Sequence, residues 1–269
     1  MLPASLTPVL MVGAGHMGGA LIAGWRRAGA IEATKIILRD PVPGEAALEA
    51  ARVGAVLNGP DADLASARTV VLAVKPQAWR LAAEAIAPHL GPGSVIISIM
   101  AGVSAHDLGG VFPGRPIVRV MPTTAAAVLK GAASVWSADA GGREVARRLF
   151  EPLGVVVDLP REALMHVATA ASGSAPAYVY ALVEALEAAA GGAGLDAAAA
   201  RALSRSALIG AAALMEASGT EARDLRRQVT SPGGTTEAAL KVLIGDGALA
   251  GLVSGAVRAA AARSRELGS

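Results

Sequence analysis

The sequence predicts an α/β domain built on a parallel sheet, followed by an all-helical domain. Three observations predict this arrangement. Short apolar runs alternate with helical stretches up to about Pro160, as in a parallel sheet that is covered by helices on both faces. The first apolar run ends in a glycine-rich turn. No segment after Arg161 has the pattern of a strand.

The composition favours a folded, soluble protein and argues against several classes of partner. Hydrophobic residues make up 53% of the 269 positions and charged residues 17%, which excludes a disordered chain. Aromatic residues are scarce, the formal net charge is +2, and no block rich in Lys or Arg occurs. We therefore expect neither a nucleic-acid partner nor a membrane partner. The absence of Cys excludes a thiol nucleophile and fits a reducing cytoplasm, which is the expected location.

The predicted elements follow from local patterns. Residues 9–12 form an apolar run that ends at Gly13, and a helix follows to about Ala28, where Gly29 closes it. A second apolar run, 35–38, stops at Arg39-Asp40-Pro41. Further strand-like runs are 69–74, 94–99, 117–120, 132–136 and 155–159, and helical stretches include 77–90 and 143–153.

A domain boundary is expected near Pro160, which divides the chain into residues 1–160 and 161–269. The second part consists of long Ala- and Leu-rich segments at helical spacing, interrupted by glycines. Helices this apolar are poorly suited to face water, so we expect a second copy of the chain to cover part of them. The chain is therefore expected to form a homo-oligomer.

The first glycine-rich turn, residues 13–18, has the pattern GxGxxG between a strand and a helix. In a Rossmann-type domain Gly13 permits the tight turn, Gly15 lets the backbone approach a pyrophosphate, and Gly18 lets helix and strand pack closely. The helix start offers N–H groups and a positive dipole end to the phosphates. The pattern predicts a dinucleotide-binding domain, with His16 and Met17 inside the cofactor turn.

The end of the second strand bears on which dinucleotide binds. Asp40 lies about twenty residues after Gly18, where an acid accepts a hydrogen bond from a ribose 2′-hydroxyl and favours NADH. Arg39 is placed to pair with a 2′-phosphate by bidentate hydrogen bonds, which favours NADPH. The residues alone leave both cofactors open.

Lys75 directly follows the run 69–74, and Pro76 restricts the backbone at this point. Ligands of open α/β sheets gather at the carboxyl ends of the strands. We therefore expect Val74, Lys75 and Pro76 to lie at the cofactor cleft, with the Lys75 side chain facing the cofactor.

A second glycine-rich turn, residues 229–237, has the sequence Val-Thr-Ser-Pro-Gly-Gly-Thr-Thr-Glu. Ser231 is a favourable helix N-cap, Pro232 suits the first helical position, and Gly234 exposes the backbone. A helix start of this kind can bind a small carboxylate, and the hydroxyls of Thr235 and Thr236 can hydrogen-bond a polar substrate atom. From spacing alone, a substrate site and an ordinary capped helix are equally supported.

With this turn the chain resembles the pyrroline-5-carboxylate reductase family. The hallmark VTSPGGTT of that family is intact at residues 229–236, and the other matches occur in the same order over nearly all of the chain. These matches are the glycine turn at 13–18, LAVKPQ at 72–77, SIMAGVS at 98–104, VRVMP at 118–122, SGSAPAY at 172–178 and RSREL at 263–267.

The resemblance implies a cofactor domain followed by a helical domain that dimerises, with dimers often joined into rings. It also implies that NADPH, with NADH as the alternative, reduces the cyclic imine 1-pyrroline-5-carboxylate to L-proline. Carried over by position, Asn58 and Lys75 contact the cofactor. The residues implied to hold the substrate are Ser231, Gly234, Thr235 and Thr236, with the Thr236 hydroxyl as the catalytic group beside the ring nitrogen.

Three departures from the family pattern bear on substrate preference. Thr123 replaces Asn in the usual Met-Pro-Asn-Thr-Pro, Ala175 replaces Gly in Ser-Gly-Ser-Gly-Pro, and residues 165–170, which include His166, replace Asp-Ala-Val-Thr-Ala-Leu. Another imine or carbonyl reductase of the same two-domain build stays open, as does, less favoured, a non-catalytic dinucleotide-binding protein. The four His residues have no metal-ligand spacing, so no metal is expected.

Overall fold

The structure, a computed structural model, describes residues 1–267. One sheet contains the strands β1 (Val9–Val12), β2 (Ile36–Arg39), β3 (Val56–Leu57), β4 (Thr69–Leu72), β5 (Val95–Ser98), β6 (Ile117–Pro122), β7 (Gly131–Trp136) and β8 (Gly154–Asp158). The α-helices are α1 (His16–Arg27), α2 (Glu45–Arg52), α3 (Trp79–Ile86), α4 (Ala105–Val111), α5 (Ala140–Phe150), α6 (Met165–Ala168), α7 (Ala175–Gly192), α8 (Ala197–Ser218), α9 (Ala222–Gln228), α10 (Thr235–Ile244) and α11 (Ala248–Glu266).

The strand order β3-β2-β1-β4-β5-β6-β7-β8 confirms a Rossmann-type sheet. The chain runs from β1 outward through β2 to β3 and then returns to start β4 on the other side of β1. Val12, the last residue of β1, is therefore paired with Arg39 on one side and Leu72 on the other. The crevice at this reversal of strand order is where doubly wound sheets bind their ligands.

The sheet is covered on both faces, because successive strand residues point to opposite sides. Met11 of β1 packs in one buried cluster with Trp25 of α1, whereas Leu10 packs in the other cluster with Phe112, which follows α4. Trp25 also donates a hydrogen bond of 2.8 Å from Nε1 to the carbonyl of Leu149 in α5. This bond ties two helices of the same face together.

The predicted parallel sheet has one exception, since β7 runs antiparallel to β6. A parallel neighbour needs a crossover connection of about a dozen residues or more. The connection between these strands contains only the 3₁₀ turn Thr124–Val128, so the chain reverses direction. Thr123 closes this reversal, because its N–H donates to the Ala132 carbonyl and its Oγ1 accepts from the Ala132 N–H, both at 3.0 Å.

Several local predictions also differ from the structure. The sequence patterns predict neither β3 nor the short helices α2 and α4. The helix expected over 77–90 is regular only at α3, because 3₁₀ turns containing Pro76 and Pro88 flank it. Proline lacks the N–H that a continuing helix needs.

Residues 1–173 and the end of α11 from Arg258 onward form one compact unit, and Ser174–Val257 form the other. The predicted boundary at Pro160 lies earlier than this division. Helix α6 contacts β7, the π-helical turn Thr169–Gly173 contacts β6, and His166 Nδ1 lies 3.0 Å from Ser264 Oγ. These contacts keep 161–173 with the sheet, while the functional division into residues 1–160 and 161–269 stays a prediction.

The second unit has almost no core of its own. Among its described residues only Ala200 and Ser204 are buried, although α7 and α8 pack together and Arg205 Nε bonds Glu187 Oε1 at 2.7 Å. Long aliphatic side chains face outward, with Leu203 60% exposed and Leu252 75% exposed. Such a helical unit requires further apolar contacts to be stable.

Candidate active site

A cleft of about 790 Å³ opens at the carboxyl ends of β1, β2 and β4, where the strand order reverses. Its floor is the first glycine turn, and α3 supplies an apolar wall through Ala82, Ala85 and Ile86. The predicted cofactor residues that line it are Gly13, Gly15, Arg39, Asn58, Val74 and Lys75.

Two glycines of the first turn, Gly13 and Gly18, lie close to neighbouring backbone atoms, whereas Gly15 faces open space. Gly13 has a φ of +91°, and a Cβ there would lie 2.8 Å from the backbone of Ala73. A Cβ on Gly18 would lie 2.2 Å from the carbonyl oxygen of Gly13. A Cβ on Gly15, by contrast, would meet no atom of residues 1–267 within 4 Å. The space in front of Gly15 is therefore a cradle that a side chain would fill and a ligand can enter.

Helix α1 begins at this cradle without a side-chain cap and without an acidic residue in its first turn. The N–H groups of the first turn point toward the helix start, and the helix dipole makes this end positive. An anion in the cradle is favoured for both reasons. His16, Met17 and Gly18 belong to this first turn, and neither they nor Pro76 contribute to the lining of the cleft.

Asp40 is held by the backbone around it. Its carboxylate accepts hydrogen bonds from the Ala14 N–H at 2.5 Å and from the Val42 N–H at 2.7 Å. Asn58 forms two hydrogen bonds with the Asp40 backbone. Its Oδ1 accepts from the Asp40 N–H at 3.0 Å, and its Nδ2 donates to the Asp40 carbonyl at 2.8 Å. Asn58 therefore reaches the cleft while fixing the end of β2.

Arg39 lies beside Asp40 but forms its hydrogen bonds with other residues. Its Nη1 donates to the Gly59 carbonyl, and its Nη2 donates to Asp61 Oδ1 at 3.0 Å. Asp61 begins the 3₁₀ turn Asp61–Ser66 and also lines the cleft. Asp61 is not among the site residues predicted from the sequence. The one sequence feature that points to it is its position three residues after Asn58.

Lys75 is exposed at the carboxyl end of β4 and lines the cleft, as expected. Its ammonium group has no hydrogen-bond or ion-pair partner in the part of the chain that the structure describes. A charged ligand in the cleft can therefore use this cation without breaking an existing contact.

The same unit contains a buried ion pair that the sequence reading also missed. Arg119 of β6 is 3% exposed, and its Nη1 lies 3.1 Å from Glu162 Oε1. Burial lowers the pKa of the Arg119 guanidinium, while the hydrogen bond and the charge of Glu162 act in the opposite direction. Glu162 also accepts from the Ala105 N–H at 2.8 Å, so it anchors the start of α4.

His166 is half-buried next to this pair and bonds Ser264. Burial lowers the pKa of its imidazole, and the positive charges of Arg119 and Arg265 lower it further. The negative charge of Glu162 and the hydrogen bond to Ser264 act in the opposite direction. These contacts give His166 a packing role. Among the described residues, no group of three or more His, Cys, Asp or Glu side chains is placed to hold a metal ion.

The second glycine turn lies at the start of α10 in the helical unit. Gly233, with a φ of +73°, donates its N–H to Glu237 Oε2 at 2.9 Å, and Gly234 donates its N–H to the Ser231 carbonyl at 3.1 Å. Neither N–H is available to a substrate carboxylate in this arrangement. The N–H groups of Thr235 and Thr236 have no recorded partner among the described residues, so they are the donors that remain.

Side-chain positions around this turn are compatible with a small ligand. Ser231, Gly234 and Thr235 are exposed or half-exposed, and the Thr236 side chain is half-buried on the first turn of α10. No hydrogen bond is recorded for the hydroxyls of Thr235 and Thr236 within residues 1–267. The turn therefore presents two hydroxyls and two backbone donors on one short segment.

Two segments of the chain match two family models. Residues 162–267 match the model described as pyrroline-5-carboxylate reductase dimerisation, and residues 8–102 match NADP oxidoreductase, coenzyme F420-dependent. The pyrroline-5-carboxylate reductase of Pseudomonas aeruginosa is 37% identical over 270 residues, which cover 96% of each chain. The chain belongs to the pyrroline-5-carboxylate reductase family. A second relative, pyrroline-5-carboxylate reductase 2 of Bacillus subtilis, is 34% identical over 86% of this chain and 85% of its own.

Solved structures of the reductase family share the whole architecture. The reductase of Coxiella burnetii superposes with a TM-score of 0.88 at 29% identity, covering 98% of this chain and 99% of that chain. The Plasmodium falciparum enzyme, whose structure has NADP bound, gives 0.83 at 27% identity and covers 97% and 98% of the two chains. These matches confirm the predicted fold class, and the dimerisation model supports a homo-oligomer.

Proposed function

We propose that this chain reduces 1-pyrroline-5-carboxylate to L-proline with NADPH, acting on the C=N bond of a cyclic imine. The observation that carries the proposal is the joint presence of an open glycine cradle and the intact turn at 229–236 in a chain of the reductase family. The first feature suits a dinucleotide, and the second suits a small carboxylate with a polar ring atom.

The cleft residues fit a nicotinamide dinucleotide. The Gly15 cradle and the start of α1 would hold the pyrophosphate, Lys75 would neutralise part of its charge, and Asn58 with Arg39 would meet the adenosine ribose. The NADP bound to the Plasmodium falciparum relative supports the choice of NADPH. When bound, the nicotinamide supplies a hydride to the imine carbon.

The residues of the second turn would bind and orient the substrate. The N–H groups of Thr235 and Thr236 would bind the substrate carboxylate, because they have no hydrogen-bond partner among the described residues. Ser231 lies beside them on the same turn. The Thr236 hydroxyl would then hydrogen-bond the ring nitrogen and hold the imine in one orientation. A cyclic imine of this type is basic enough to arrive protonated, so the chain need not supply a general acid.

We further propose a dimer, or a ring of dimers, that covers the apolar helical unit and works in the cytoplasm. The helical stretch Thr235–Glu266 is long and apolar enough to cross a membrane by length and composition alone. Asp246, with a φ of +51°, breaks this stretch between α10 and α11, and the matched dimerisation model offers a second copy as the cover. A dimer accounts for the exposed Leu203 and Leu252 without a membrane.

The direct test incubates purified protein with 1-pyrroline-5-carboxylate and NADPH, follows the loss of reduced-cofactor absorbance and identifies the product by mass spectrometry. We expect L-proline in amounts equal to the NADPH consumed. A panel of other cyclic imines and short carbonyl acids, measured in competition, tests the neighbouring reductase activities. Faster turnover of any panel member would contradict the proposed substrate.

Variants of Thr236 test the substrate turn. We expect Thr236→Val to lower kcat on the order of 100-fold, because a well-placed polar contact to the reacting group is lost at nearly constant shape. Thr236→Ser keeps the hydroxyl and should retain most of the activity. The dissociation constant for NADPH should be the same in all three proteins. Wild-type turnover in Thr236→Val would remove Thr236 from the site.

A further inference from the structure

One rim of the cofactor cleft, at the carboxyl end of β2, contains three charged side chains. This charged rim consists of Arg39, Asp40 and Asp61, all of which line the cleft. The carboxylate of Asp40 is satisfied by the N–H groups of Ala14 and Val42, which fix its position. Arg39 is the cation of the rim, and its partners therefore decide how the rim receives an anionic ligand.

The two partners of Arg39 differ in how firmly they are held. The Gly59 carbonyl is part of the backbone next to Asn58. Asp61 is a side chain that is 62% exposed, whereas the Arg39 side chain is 17% exposed. The guanidinium is thus packed in place, and the carboxylate on its outer side is in water. A ligand that binds Arg39 would therefore displace Asp61 and leave the bond to the Gly59 carbonyl in place.

A nearby histidine can receive Asp61 when that exchange occurs. His89 Nε2 lies 3.6 Å from Asp61 Oδ2, on the oxygen that does not face Arg39. His89 therefore stays next to the Asp61 carboxylate when a ligand takes Arg39 away from it.

We propose that Asp61 sets the balance between NADPH and NADH by competing with the 2′-phosphate for Arg39. The inference rests on the proposed function, because it assigns the selectivity of that same cofactor site. A phosphate monoester has a charge of about −1.5 to −2 at neutral pH, so it binds Arg39 strongly but is repelled by Asp61 and Asp40. NADH lacks this phosphate and leaves the Arg39–Asp61 pair intact. Asp61 thus weakens NADPH binding selectively and reduces the preference for NADPH over NADH.

Equilibrium binding of NADPH and NADH, measured by calorimetry without any imine, tests the proposal. In Asp61→Asn we expect the Kd for NADPH to fall about fivefold, the upper end of the effect of a part-exposed ion pair, while the Kd for NADH changes less than about twofold. Asp61→Glu restores the charge and should restore the wild-type ratio. Asp63→Asn, which removes the same charge from the same 3₁₀ turn outside the cleft lining, is the matched control and should keep that ratio.

The double variant Arg39→Ala/Asp61→Asn distinguishes competition for Arg39 from simple repulsion. If Asp61 acts through Arg39, the Asp61→Asn effect on the NADPH to NADH ratio disappears in the Arg39→Ala background. Persistence of the effect, an unchanged ratio in the single variant, or an equal shift for both cofactors would overturn the proposal. Tight cofactor binding without imine reduction would refute the proposed function alone, and no binding of either cofactor would refute both.

Discussion

Removal of the Glu162 carboxylate is expected to destabilise the sheet unit strongly. Arg119 is 3% exposed, its Nε has no hydrogen-bond partner among the described residues, and its Nη1 lies 3.1 Å from Glu162 Oε1. Breaking a buried pair from one side costs about 3–5 kcal/mol, because it leaves an uncompensated charge. The Glu162 side chain is 27% exposed, so water can partly replace it, and we take the lower end of that range, about 3 kcal/mol.

Urea denaturation at fixed protein concentration measures this cost, because the stability of an oligomer depends on concentration. We expect Glu162→Ala to lower the midpoint by about 1 M or more at an unchanged slope. Glu144→Ala removes one partner of the exposed pair with Arg148, 2.7 Å apart, and should not shift the midpoint measurably. Arg119→Met combined with Glu162→Ala removes the stranded charge and should recover most of the loss. A double variant less stable than Glu162→Ala would refute this reasoning.

Two further predictions concern the cradle and His166. Gly15→Ala should keep wild-type thermal stability but weaken NADPH binding at least tenfold, because its Cβ meets no atom of the described residues within 4 Å and occupies ligand space. Gly18→Ala places a Cβ against the carbonyl oxygen of Gly13 and should therefore lose stability as well. Unchanged NADPH affinity in Gly15→Ala would contradict the cradle. The pKa of His166 is lowered in the folded chain, so the unfolded chain binds more protons just below pH 6.5, and stability should fall as the pH drops through this range. His166→Asn should flatten that dependence in urea titrations between about pH 5 and 7, and an identical slope in both proteins would rule out His166 as its source.

The parts of the fold that the sequence predicts well are those that depend on neighbouring residues. β1, the glycine turn and α1 follow from an apolar run, three glycines and a helical pattern within about twenty positions. The direction of β7 depends on whether the connection from β6 is long enough to cross the sheet. Strand β3 has only two residues, which is too short for an alternating pattern. Neither feature has a local pattern strong enough to predict it.

The candidate site divides in the same way. Gly13, Gly15 and Lys75 are predictable because strand ends and turns determine where they lie. The pairing of Arg39 with Asp61 and of Arg119 with Glu162 joins residues 22 and 43 positions apart, which depends on tertiary packing. The hydrogen bond from the Gly233 N–H to Glu237 leaves fewer backbone donors of the second turn available to a substrate. This bond is visible only in the structure. Sequence motifs located the two turns, whereas the structure identified which of their groups are already used.

The most direct test of the proposed reduction follows the transferred hydrogen itself. NADPH carrying deuterium at its transferable position is incubated with 1-pyrroline-5-carboxylate and the wild-type protein, and the product is examined by mass spectrometry and NMR. The proposed function predicts L-proline with one deuterium on the ring carbon that was the imine carbon, formed far more slowly by Thr236→Val. Oxidation of NADPH without labelled proline would contradict it.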